Sequence, residues 1–359
     1  MRSPFIVGIM TAIVAAVMFG VSAPVIAWTS RTTGVLATAC LLYAGAALIG
    51  IAARTRRPFT LTRADAPRLA AIAACGAVIA PALLVLGLHR TGALTASLLL
   101  NLEAVFTVVL AAVVRHELIA RRVWVAVLAM AAGGAALALD AAARGTGGLL
   151  GAFAVVGATL AWALDNNLTQ PLSERAPFDV VAVKAGLGAT LTAVLALALG
   201  DAWPDLASTL VLLACGATAY GLSLALYILA QRRIGAARTG SVFAVAPFIG
   251  ATVAWLAGER TLGMWAFASI PLFGFGVYLH LSEQHKHTHH HVAEDHEHVH
   301  RHDDGHHDHA HEPPVTGAHA HPHHHHATDH EHPHVHDHVH HAHGHDRDTA
   351  TEPRCERTC

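Results

Sequence analysis

Ten mostly apolar runs, each about the length needed to cross a bilayer and each closed by a short polar break, limit what this chain can fold into more than any other feature. They cover residues 4–28, 33–53, 67–88, 91–114, 121–140, 147–168, 179–200, 206–230, 235–257 and 262–282. A helix needs about 20 apolar residues to span the hydrocarbon core. Backbone groups in lipid must be satisfied within a helix or a closed barrel, so runs of this length predict an all-α membrane protein of ten transmembrane helices. A chain that is 53% hydrophobic and 13% charged is also too apolar for a soluble enzyme of this size. The first run follows Arg2 but far exceeds the roughly 7–15 apolar residues of a signal sequence, so it reads as the first spanning helix. Pro24, Pro81, Pro247 and Pro271 lie inside runs, as is ordinary in membrane helices. Cys40, Cys75 and Cys215 do too, where a thiol behaves as a small hydrophobe and implies no disulfide framework.

Charge divides the chain into two physically different objects. Residues 1–282 hold 18 Lys and Arg against 10 Asp and Glu, whereas residues 283–359 hold 5 against 15. Of the 31 histidines, only His89, His116 and His280 precede residue 283. Placing the N-terminus inside assigns 13 loop-side arginines to the cytoplasm and only Arg31, Arg90, Arg144 and Arg260 to the other side. Cytoplasmic loops carry the excess of positive charge, so both termini are expected inside, in a multi-pass protein of a bacterial-type inner (plasma) membrane.

The second half repeats the first at a nearly constant offset of 143 residues. This pairs Gly8 with Gly151, Phe19 with Trp162, Gly45 with Gly188 and Gly92-Ala93 with Gly235-Ala236. Each repeat has five helices, so the second enters the membrane from the opposite face, which gives inverted repeats of the kind found in secondary transporters. The expected organisation is a first repeat over 1–140, a second over 141–282 and a disordered tail over 283–359.

The fourth and ninth runs hold the clearest motif. Arg90-Thr-Gly-Ala leads through Asn101-Leu-Glu-Ala to Glu117, and Arg233-Ile-Gly-Ala leads through Ala246-Pro247-Phe to Gly258-Glu259-Arg260. With Pro247, Gly258 and Glu259, residues 4–282 resemble the EamA-type families of the drug/metabolite transporter superfamily. The first repeat departs from the pattern, with Ala104 in place of the usual Pro and Arg115-His116-Glu117 in place of Gly-Glu. The resemblance implies secondary transport of small metabolites or drugs, usually export, through a central cavity.

Intramembrane charge costs roughly 2.5–3.5 kcal/mol on insertion scales and asks for a reason. Glu103, near mid-depth of the fourth run and close to Asn101, is a candidate substrate or proton site, or else a neutral carboxyl hydrogen-bonded between helices. Asp165, Asn166 and Asn167 lie toward the cytoplasmic end of the sixth run, as the inner mouth of a path or a polar helix end. The repeat counterparts Ala246, Ser22, Ala23 and Pro24 are not acidic. Lys184, at the start of the seventh run, is placed to snorkel to headgroups. Glu117 and Glu259 are expected to serve structure at the interface, with Trp28, Trp124, Trp203 and Tyr278 as aromatic anchors.

The tail is dense in His, Asp and Glu with almost no aliphatic content, a composition that cannot bury a core. Its candidate metal ligands are His285, His287, His289, His290, His291, His296, His298, His300, His323, His324, His325, His326, His334, His336, His338 and His340. Imidazole suits nickel, cobalt and zinc, and is mostly unprotonated near neutral pH. Two cargoes follow. One is a divalent transition-metal cation, exported with the tail collecting it; the other is an amino acid or other small organic metabolite, with the tail a metal buffer. Neither reading makes the protein an enzyme, needs a cofactor for transport or involves nucleic acid. The partners expected are the lipid bilayer and a small solute or metal ion.

Overall fold

The computed structural model describes residues 4–53, 60–114, 119–172, 175–234, 236–260 and 263–281, and in the tail 288–291, 294–300, 319–325 and 328–331. The chain divides into two compact units, Met1–Glu283 and Gln284–Cys359.

The first unit holds ten helical segments, close to the ten apolar runs. They are α1 (Pro4–Thr29), α2 (Val35–Ala52), α3 (Arg63–Thr91), α4 (Ala93–Val114), α5 (Arg121–Ala143), α6 (Thr146–Thr169), α7 (Pro177–Ala198), α8 (Leu206–Ile234), α9 (Ala236–Phe243 with Ala246–Leu256) and α10 (Met264–Leu281). Eight are long and apolar enough to cross a membrane, and the second part of α9 and most of α10 are shorter apolar helices. An even number of crossings puts Pro4 and Leu281 on one face, here the terminal face.

The 143-residue repeat holds down to local irregularities. α3 carries a π-helical stretch over Ala73–Ile79, and α8 carries one over Gly216–Leu222 at the equivalent positions. α4 breaks at Leu100–Asn101 into α4a (Ala93–Leu99) and α4b (Leu102–Val114). α9 breaks at Ala244–Val245 into α9a (Ala236–Phe243) and α9b (Ala246–Leu256). Pro247 accounts for the second break, since it sits in the first turn of α9b, where its missing N–H costs nothing. The first break has no proline. A short i→i−3 series forms it, with Leu100 N donating to Ser97 O, Asn101 N to Leu98 O and Glu103 N to Leu100 O.

Helices also start at equivalent places. Thr62 and Asp65 form a capping box at α3, and Asp205, 143 residues after Thr62, accepts from Ser208 N at 2.9 Å at the start of α8. Backbones approach closely where glycine permits. A Cβ on Gly45 would stand 2.0 Å from Leu213 O, and one on its counterpart Gly188 would stand 2.4 Å from Ala77 Cβ. Small residues at such crossings let membrane helices pack by van der Waals contact.

Counterpart helices α2 and α7 pack directly on each other, as do α5 and α10. α1 packs on α8 and α9, and α6 on α3 and α4, so each repeat's first helix sits in the other repeat. Away from the terminal face, α4a and α9b pack together. Their symmetry partners on the terminal side do not, because among the described residues α4b lies against α6 and α5 while α9a lies against α1, α8 and α10. The two halves thus meet through α4a and α9b on the opposite face, and on the terminal face through Thr60 with Asp179 and Arg175 with Asp65.

In the second unit the described segments form two short antiparallel ladders. Thr288–His291 (β1) pairs antiparallel with Thr328–Glu331 (β4), and Glu294–His300 (β2) with His319–His325 (β3). The alternation of His with small or acidic residues is compatible with strand pairing, but two-stranded ladders are marginal in water and supply no core.

Candidate transport site

Glu103 lies in the first turn of α4b, just past the break, and stays partly exposed. Asn166 Nδ2 donates to its Oε1 at 2.7 Å, bringing α6 to α4. Asn167 Nδ2 reinforces that contact weakly, donating to Thr107 O at 3.4 Å and to Ala163 O at 2.9 Å. Glu103 and Asn166 are thus brought together, with Asn167 on the same α4–α6 contact, although the sequence places Glu103 at mid-depth and the asparagines toward the cytoplasmic end.

The other two candidates point elsewhere. Asp165 is buried and forms an ion pair with Lys184, whose Nζ donates to Oδ2; Thr169 Oγ1 donates to Oδ1 at 3.3 Å. Successive helix positions are about 100° apart, so Asp165 and Asn166 serve different neighbours, α7 and α4. The expected snorkelling of Lys184 is corrected: it is buried, because a carboxylate one helix away offers its ammonium a partner inside the bundle. Asp165 likewise belongs to this buried tie and not to an open mouth. Asn101 is buried, with Nδ2 folded back on Leu98 O at 2.9 Å, and does not reach Glu103 Oε1 in the hydrogen-bonded set.

Aromatic residues complete the centre. Phe19 stacks edge-on to Trp162 with centroids 6.0 Å apart and to Tyr220 at 5.9 Å, and lies 5.4 Å from Phe243. Tyr43 is 5.5 Å from Tyr220, and Tyr227 meets Phe243 edge-on at 5.0 Å. Phe19 and Trp162 are repeat counterparts, so the pseudo-two-fold axis passes between these rings. The sequence signal for this cluster was aromatic residues at mid-depth instead of at helix ends.

The π stretch of α3 explains how two of these rings are fixed. Ala80 N donates to Cys75 O, five residues back, so continuing that register would require Pro81 to donate to Gly76 O. Proline has no N–H. The Gly76 carbonyl is taken instead by Trp162 Nε1 at 3.1 Å and by the Tyr43 hydroxyl. A Cβ on Gly76 would stand 2.3 Å from Asp165 Oδ2, so glycine is also what admits the ion pair.

The motif at the end of α9 has a mechanical reading. Gly258 adopts φ +100°, turning the chain so that the Glu259 carboxylate accepts from Ala93 N at 3.0 Å and Leu94 N at 3.2 Å. It thereby caps α4a, in accord with the structural role expected of Glu259. Gly92, at φ +82°, is required there, since its Cβ would lie 2.1 Å from Glu259 Oε1. Beside this cap, Trp28, Arg31, His89 and Glu259 line a recess of about 540 Å³ on the opposite face. Glu117, the other motif acid, lies outside the described residues.

Among the described residues, no group of three or more His, Cys, Asp or Glu is arranged to hold a metal ion. His285, His287, His326, His334, His336, His338 and His340 lie outside the described residues. His289 pairs across the ladder with His330, and His296, His298 and His300 with His323, His321 and His319; His290 faces Asp329, His291 faces Thr328, His324 faces Asp295 and His325 faces Glu294.

A model of the EamA-like transporter family matches residues 6–139 and 149–282, one copy on each repeat. An uncharacterized transporter of Methanothermobacter thermautotrophicus is 28% identical over 185 residues, 50% of this chain and 54% of that protein. The chain thus spans about half the length of the curated relative it matches. A solved crystal structure superimposes with a TM-score of 0.54 at 16% identity, covering 78% of this chain and 96% of the other, a likeness of fold. The ten helices, the inverted repeat and a family match to each half place this chain in the EamA-like transporter family.

Proposed function

We propose that the protein moves a small organic solute bearing a positive charge, such as an amino compound, from the terminal face to the opposite face. The observation that supports this reading is an intramembrane carboxylate, Glu103, held by Asn166 in a bundle whose centre carries a cluster of aromatic rings drawn from both repeats. A carboxylate and ring faces together attract an ammonium group. The arginine excess favours a cytoplasmic terminal face, and with the family's usual activity it supports export as the proposed direction. Uptake into inside-out vesicles tests it: cationic and zwitterionic amines should be carried and simple anions not, and Glu103→Gln should cut cation transport by at least about tenfold, for a lost charge-assisted contact of roughly 1.5–3 kcal/mol. Full activity of Glu103→Gln ends the proposal.

A second reading keeps a divalent metal as cargo, delivered by the tail. The cross-strand registers that set His296, His298 and His300 against His323, His321 and His319 favour tail binding. Imidazole pairs suit nickel, cobalt or zinc. The test compares the full chain with a chain ending at residue 283. Loss of bound metal on truncation supports a binding tail, and loss of metal tolerance in cells supports metal as the cargo.

A further inference from the structure

From the unpartnered oxygens where α4a, α9b and α1 close together, we propose a sodium site that holds the opposite face shut. Ser97 Oγ and Asn101 Oδ1 are buried and have no hydrogen-bond partner among the described residues, although their residues are 0% and 3% exposed. A buried polar atom without a partner costs on the order of 1–3 kcal/mol, and here two occur four residues apart, on one face of α4 at its break. α1 supplies a third oxygen. Pro24 lies inside α1 and has no N–H to give the Gly20 carbonyl, its i+4 acceptor. Gly20 O and Ser97 Oγ converge on Gly250 of α9b, since a Cβ built there would stand 2.6 Å from the first and 2.8 Å from the second. Glycine at 250 is therefore what lets both oxygens come up against the α9b backbone, and a side chain there would displace them.

The chemistry of this set selects the ligand. It offers a hydroxyl, an amide oxygen and a backbone carbonyl, all neutral, and Ser97 and Asn101 flank the C-terminal end of half-helix α4a, whose carbonyls favour a cation. Divalent ions such as calcium and magnesium rely on carboxylates, and none of the three ligands is one. A small monovalent cation fits, and sodium is the abundant one. Its ligands come from α1 and α4, packed against α9b, and this junction exists only while α4a and α9b are packed. Sodium would therefore favour the arrangement with α4a and α9b packed, as any ligand that binds one of two states shifts the population toward it.

The site is independent of which solute is carried, so it is tested without solute. The full-length protein in detergent is titrated with NaCl against choline chloride at constant ionic strength, and its thermal midpoint is followed. A saturable rise with Na⁺ alone is expected. Ser97→Ala, which removes one ligand without adding bulk, should weaken half-saturation by about tenfold or more, for an ion–oxygen contact of at least 1.4 kcal/mol. Gly250→Ala, which displaces both oxygens, should abolish the rise; should that variant not fold, Ser97→Ala and Asn101→Leu decide. A midpoint indifferent to Na⁺, one that responds equally to choline or K⁺, or an unaltered response in Ser97→Ala overturns the site.

Discussion

Lys184→Met isolates the tie between α6 and α7. The pair is closed off from solvent, with side-chain exposures of 7% for Lys184 and 4% for Asp165, so water does little to screen it. Removing the ammonium leaves a buried carboxyl with only Thr169 Oγ1 at 3.3 Å to hold it. Breaking a buried pair from one side costs about 3–5 kcal/mol, whereas replacing both members by neutral groups of similar volume is often neutral. Lys184→Met alone should therefore lose about 3–5 kcal/mol, and adding Asp165→Asn should recover most of it, leaving the double variant within about 1 kcal/mol of the parent. Equilibrium unfolding in mixed micelles at increasing SDS, followed by tryptophan fluorescence, gives all four corners of the cycle. If Lys184→Met unfolds within about 0.5 kcal/mol of the parent, or the double variant is no better than the single one, the pair is not the tie described.

Gly92→Ala forces a side chain into φ +82° and against Glu259, and should destabilise by about 1–2 kcal/mol, with Glu259→Gln milder, read in the same micelle assay. Trp162→Phe removes one of the two donors to Gly76 O and should cost about 1 kcal/mol while leaving the fold intact by circular dichroism. Asp205, outside the spans, has its carboxyl held below the ordinary range by the Ser208 backbone N–H. Its cap should be complete above the ordinary carboxylate pKa near 3.9 and lost as pH falls through the lowered folded value. Asp205→Asn should flatten that acid limb of stability.

What was legible followed from strong physical periodicity. The ten spans lie within a few residues of the apolar runs because a bilayer fixes their length and composition together. The offset of 143 residues was visible in glycines such as Gly45 and Gly188, and those are places where backbones nearly touch. Glu103 stood out as an intramembrane acid, but its pairing with Asn166 did not, because the sequence set the two at different depths. The break at Leu100–Asn101 was not legible either, because a few i→i−3 bonds change the helix without any glycine or proline to announce them. Nor were the π stretches, which shift hydrogen bonds by one residue at no cost in hydropathy; only Pro81 left a trace, through the carbonyl it cannot serve. Lys184 was misjudged for a related reason. Depth alone allowed a headgroup contact, yet Asp165 and Lys184 stand on either side of the same α6–α7 turn, which was signal enough for a pair.

Symmetry and chemistry part company in this molecule, and the parting bears on mechanism. The caps at Thr62 and Asp205, the π stretches and the two helix breaks all recur near the repeat offset, so the scaffold is symmetric down to local detail. Among the described residues α4a packs on α9b while α4b and α9a pack on other helices, so the two pairs are not equivalent in this structure. An exchange of roles between the pairs, one opening as the other closes, would give a second arrangement with the α2–α7 and α5–α10 contacts retained. The charged groups do not share this symmetry: Ala246 stands where a second Glu103 would be, and Ser22 and Leu41 stand where a second Asp165–Lys184 pair would need its acid and its ammonium. On the proposed function, one carboxylate in α4b would have to serve both arrangements in turn, meeting the solute from either side as the helices around it move. Two symmetric acids would instead hold one solute between them in both states and oppose its release, so the lone Glu103 is the arrangement that this proposal requires.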